Sequence, residues 1–139
     1  MTLLDDLGTY LQTQAVGTLQ TPLFKGGLPM DSPLAPVHDA IMALVETAGL
    51  PPVHIHNQQS ASWERPAVQV IVRGNAYDYQ EARTRAQAAF DALDGLANIT
   101  LGATYYLSIQ ALQSPFFLRS DEAGRPVIVF NCLIAKAVN

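Results

Sequence analysis

The chain has 139 residues, 49% of them hydrophobic and only 14% charged, with a formal net charge of −4. That length suits a single domain over residues 1–139 with one real core. The eight basic residues are scattered from Lys25 to Lys136 and form no stripe, which excludes tight gripping of a nucleic-acid backbone. The charged fraction lies below the usual value of roughly 25%, as expected of a surface partly covered by other subunits. Cys132 is the only cysteine, so no internal disulfide can form. It sits in an apolar run and reads as a small core residue. No apolar run reaches membrane-spanning length, and no basic-then-apolar leader opens the chain. The expectation is a soluble protein assembled in a reducing cytoplasm, without a membrane partner.

In chain order, Thr2 can cap a first helix, with Asp5 and Asp6 suiting its positive end. Leu3, Leu4, Leu7 and Leu11 form its apolar stripe. Leu23-Phe24-Lys25 is a short strand candidate closed by Gly26-Gly27. Pro29, Pro33 and Pro36 punctuate a loop. His38 to Leu50 is ambiguous, because short apolar runs fit a helical face or a buried strand alike. Pro51 to Ser62 is polar and reads as a surface loop or arm.

Ala67 to Arg73 alternates as a strand, with Val68, Val70 and Val72 on one face and Gln69, Ile71 and Arg73 on the other. Gly74-Asn75 ends it. Asp78, three residues before Glu81, marks a helix start. Ala82, Ala86, Ala89, Phe90 and Leu93 follow at helical spacing, and Gly95 stops the helix. Leu96–Leu101 and Tyr105–Leu112 read as strands hinged at Gly102-Ala103. In the second, Tyr105, Leu107, Ile109 and Ala111 share one face. Ser114-Pro115 interrupts it, and Phe116-Phe117-Leu118 resumes it. Asp121 to Arg125 is a polar turn. Val127 to Ala135 is a strand apolar on both faces, Asn131 excepted, and such strands are covered on both sides. The chain's helices can cover one face; its loops or another subunit must cover the other.

Chemistry is sparse. His54 and His56 flank Ile55 and could join His38 in a metal site, but no spacing brings His38 near them. The serines lack an elbow motif, and the acid pairs Asp5-Asp6 and Asp121-Glu122 sit where helix starts and turns want them. The glycine pairs match neither a phosphate loop nor a dinucleotide fingerprint. No catalytic, cofactor-binding or metal residue is assigned, and an enzyme is not expected.

Three segments stand out together: Trp63-Glu64-Arg65-Pro66-Ala67-Val68-Gln69-Val70, Leu93-Asp94-Gly95-Leu96 and Gln110 to Leu118. With the turn Asp121 to Pro126 and the upstream Glu46 to Pro52, the sequence resembles the minor capsid or tail-terminator family of long-tailed bacteriophages. The resemblance implies an α+β fold, a mixed, mainly antiparallel sheet flanked by two helices, in which Ala40 to Glu46 is a strand. It departs from the family at the proline-rich Met30 to Val37.

The resemblance further implies a virion neck protein without catalysis. Its partners would be copies of itself in a homohexameric ring, the tail-tube protein and a head-completion or stopper protein, with DNA passing the lumen. The alternatives are another neck component or, more remotely, a small His-metal enzyme. Exposed loop tips make His54, His56, Gln58, Gln59, Asp121, Glu122 and Arg125 the expected partner contacts. Phe116, Phe117, Tyr105 and Tyr106 are expected in the core or a subunit interface, the phenylalanine pair in the core first.

Overall fold

The structure, a computed structural model, describes residues 2–14, 23–26, 39–54 and 62–138. It contains helices α1 (Leu3–Thr13) and α2 (Tyr79–Leu93) and strands β1 (Leu23–Lys25), β2 (Ile41–Val53), β3 (Trp63–Arg73), β4 (Leu96–Leu101), β5 (Thr104–Ala111), β6 (Phe116–Ser120) and β7 (Pro126–Ala137). The strands make one seven-stranded sheet in the order β1-β2-β3-β7-β5-β4, with β6 also paired to β7. Only β1–β2 is parallel; the other pairs are antiparallel. The fold is α+β with a mixed, mainly antiparallel sheet.

Local chemistry explains the helices. Thr2 accepts a hydrogen bond from the Asp5 backbone N–H while the Asp5 carboxylate accepts from the Thr2 N–H, a full capping box. Asp78 accepts from the Glu81 N–H to start α2. Gly95, at φ +84°, lets the chain turn straight from α2 into β4, a conformation that disfavours residues with a Cβ.

Both helices pack on one sheet face. Leu3, Leu7 and Leu11 of α1 and Ala82, Ala86, Ala89 and Leu93 of α2 meet Val68, Val70, Val72, Ile128, Phe130, Cys132 and Ile134 in one core. Phe90 and Phe130 meet edge to face at 5.7 Å. The small alanines let α2 lie close to the sheet. On the other face, Val127 and Val129 are buried, but Leu133 and Ala135 are only partly so. No helix covers that face among the described residues.

The structure corrects several expectations. β2 runs on through Pro51 to Val53, so the first part of the supposed loop is strand. With β3, which begins at Trp63, it forms a hairpin arm with register shifts between Thr47 and Val53. The strict alternation expected of β5 fails. Its register with β7 slips between Tyr106 and Ser108, so Tyr106 and Ile109 both point into the core although three residues apart. An inserted residue reverses which side chains face inward. Phe116 and Phe117 are not in the core: they are 40% and 49% exposed on β6, a strand exposed along its whole length.

Candidate assembly surface

β5 and β6 lie end to end along the same edge of β7, separated by the break at Leu112 to Pro115. β5 is covered outward by β4; β6 pairs with no second strand among the described residues. Its free backbone edge carries Phe116, Phe117 and Leu118, with Leu112 just before it, all exposed. Strand alternation sends the two phenylalanines to opposite faces, and a register shift follows between Phe117 and Arg119. Phe116 aligns with Val129 on the helix-free side, and Phe117 aligns with Ile128 on the helix side. There Phe117 meets Tyr79 of α2 edge to face at 6.0 Å. An apolar edge strand of this kind is a template for another chain.

The β2–β3 arm is a second exposed feature. The Arg65 side chain donates to the Pro51 carbonyl at 2.8 Å, and the Ser62 N–H donates to the Val53 carbonyl at 2.8 Å. Leu50 and Val53 are exposed on it. His54, an expected contact, stands exposed at its end. His56, Gln58 and Gln59 lie outside the described residues, as do His38 and the proline-rich stretch. Trp63 packs at 6.3 Å from Tyr105, whose hydroxyl donates to Asn98 at 2.6 Å. Tyr105 is thus partly exposed while Tyr106 is fully buried.

The hairpin tip is organised from within. The Asp121 carboxylate accepts from the Ala123 and Arg125 N–H groups at 3.0 and 2.9 Å and from the Arg125 guanidinium at 2.7 Å. Arg125 also bonds Asp39 at 3.0 Å, and the Arg73 side chain donates to the Asp39 carbonyl at 2.9 Å. Burial pushes the Asp121 carboxyl up, but these bonds from Arg125 and Ala123 outweigh it and hold the carboxyl below its usual range. Asp121 and Arg125 therefore hold the turn; Glu122 between them is exposed.

A feature that sequence reading missed lies under α1. A cavity of about 410 Å³ opens between Asp6, Thr9, Tyr10 and Thr13 of α1 and Leu101 and Gly102 at the β4–β5 turn. Asp6 is only 3% exposed. The Tyr106 hydroxyl donates to its Oδ2 at 2.7 Å, while Oδ1 has no hydrogen-bond partner. Burial first, and the Asp6 carboxylate second, push the Tyr106 phenol far above its usual value, so it stays a donor. The signal was present in the sequence: Asp6 falls between Leu3 and Leu7 on the apolar helical face, where a carboxylate is out of place.

Among the described residues, no group of three His, Cys, Asp or Glu side chains could hold a metal. Cys132 is buried, and burial, with the nearby Asp94 charge, pushes its thiol up to about 12.

A mixed sheet with helices on one face and an open apolar edge among the described residues defines an α+β protein. The chain belongs to the bacteriophage tail terminator family: the family's model, described as bacteriophage tail terminator protein, matches residues 10–137. Among solved structures, a chain from the "virion of native gene transfer agent (GTA) particle" is similar in fold, with a TM-score of 0.70 and 18% identity, covering 98% of this chain and 95% of that one. No curated protein matches the sequence. The protein is thus a phage structural protein of the virion. No helix among the described residues is long and apolar enough to cross a membrane.

Proposed function

We propose that this protein is the tail terminator that caps the head-proximal end of the tail tube as a homohexameric ring and presents the docking surface for a head-completion or stopper protein. The observation that carries the reading is the open edge of β6 with its exposed Phe116, Phe117 and Leu118. One copy leaves this apolar edge in water; a neighbour around a ring removes it. Low charge content is consistent with such burial. At −4 per chain, six copies carry a formal charge of −24. An anionic ring lets DNA slide through its lumen rather than bind, because it repels phosphate. His54 at the arm and Asp121, Glu122 and Arg125 at the β6–β7 tip are the described residues proposed to touch tube or neck partners, and catalysis has no part in the role.

Native mass measurement with and without tail tubes tests the reading. The expected species is six copies of the 15.0 kDa chain, about 90 kDa, seated on tube ends. A strict monomer that never binds tube ends would overturn it. Binding to isolated head-completion complexes but not to tubes would make the protein a different neck component.

A further inference from the structure

The eight basic side chains of this chain are all among the described residues, and seven of them are engaged. Lys25 pairs with Asp5, Arg85 with Glu81, Lys136 with Glu64, and Arg125 with Asp121 and Asp39. Arg65 and Arg73 donate to backbone carbonyls, and Arg83 donates to Gln87. Arg119 has no such partner among the described residues. It is exposed, and it sits on β6 beside Phe117 and Leu118. Its opposite number is Asp6, a buried carboxylate with one oxygen unpartnered at the edge of a cavity. A buried carboxylate with only one of its oxygens hydrogen-bonded, to the Tyr106 hydroxyl, gains from a cation brought into the cavity that Asp6 lines.

We propose that Arg119 of one protomer inserts into the Asp6 cavity of its neighbour and that this pair sets the head-to-tail contact of the ring. The two groups cannot meet within one chain. Arg119 aligns with Val127 of β7, and Tyr106, which holds Asp6, aligns with Lys136. Nine residues of strand separate those positions, about 30 Å at the usual rise per residue. The two surfaces therefore lie at opposite ends of the molecule, and each completes the other on a different copy. A contact of that kind is heterologous and closes into a ring when the rotation allows. The cavity suits its guest. About 410 Å³ admits a guanidinium. Tyr10 and the threonines on its walls offer a ring and hydroxyl oxygens beside the carboxylate, the groups that receive a desolvated arginine. The apolar residues flanking Arg119 would then form the water-excluding border around a central charged anchor.

The inference rests on the ring reading, and one set of measurements separates the two. Assembly of the full chain is followed by native mass spectrometry and sedimentation for wild type, Arg119→Gln, Asp6→Asn and the double variant. Arg119→Gln changes an exposed residue and keeps the fold; Asp6→Asn keeps the shape and removes the charge. Each single variant is expected to weaken assembly at least about tenfold, and the double variant no further, since both remove one contact. Rings that form with unchanged affinity in both single variants would overturn this contact and leave the ring standing. A wild type that stays monomeric on tube ends would remove both.

Discussion

Asp6 shows how a single side chain is placed by a periodicity that ignores its chemistry. The capping box fixes the start of α1, and the helical turn then carries position 6 to the face shared by Leu3 and Leu7. Tyr106, 100 residues later, supplies the hydroxyl. Tyr106→Phe should remove that donor, leave both carboxylate oxygens unpartnered and lower stability by about 1–3 kcal/mol, read from the midpoint of urea unfolding. Asp121 carries a pH dependence of definite sign. Its folded pKa lies below the unfolded value, so its stabilisation is present above about pH 4 and is lost as pH falls through the depressed folded value. Asp5, held down by the hydrogen bond from Lys25 and then by Thr2, acts in the same direction. Stability should be flat above about pH 5 and decline in acid, and Asp121→Asn should make that decline shallower in a pH series of thermal melts.

Elements are governed by pairing as much as by pattern. The strands β3, β4 and β7 and the helix α2 were legible because alternation, a 3.6-residue period and end signals are local. β5 was misread in its facing because the slip at Leu107 depends on how the strand pairs with β7, which no local pattern carries. Phe116 and Phe117 look like core residues by type. They are exposed because β5 and β6 share one edge of β7 and β6 ends up outermost. The arm was hidden for a similar reason: Pro51 and Pro52 read as loop formers, yet proline is tolerated on irregular edge positions. Gly49 makes the arm's irregularity possible. A Cβ there would fall 2.1 Å from the Arg65 carbonyl oxygen and 2.8 Å from Pro66 Cα. Gly49→Ala should push the two strands of the arm apart at a cost of about 1–3 kcal/mol. The backbone amides of residues 47–50 and 53 should then exchange hydrogen faster than those of β3 beyond Ala67; unchanged exchange would count against the close approach.

At the scale of the whole molecule, one sheet face is closed by helices and the β6 edge is not closed by anything described in the chain. If copies supply the cover, folding and assembly are linked by mass action, and the melting temperature should rise with protein concentration. Leu118→Asp places a charge on the edge and should abolish that dependence while leaving the dilute-limit melting temperature nearly unchanged, because Leu118 is 51% exposed. Scanning calorimetry over a hundredfold concentration range reads both. Local chemistry in the sequence was enough to determine the helix caps, most strand positions, the Asp121–Arg125 turn and the tail-terminator resemblance, since each depends on residues a few positions apart. Only the tertiary structure decided that Asp6 is buried under Tyr106, that β5 changes face, and that the aromatic pair of β6 lies at an open edge. Those depend on which distant strand lies alongside, and a strand's neighbour is chosen by the packing of the whole sheet.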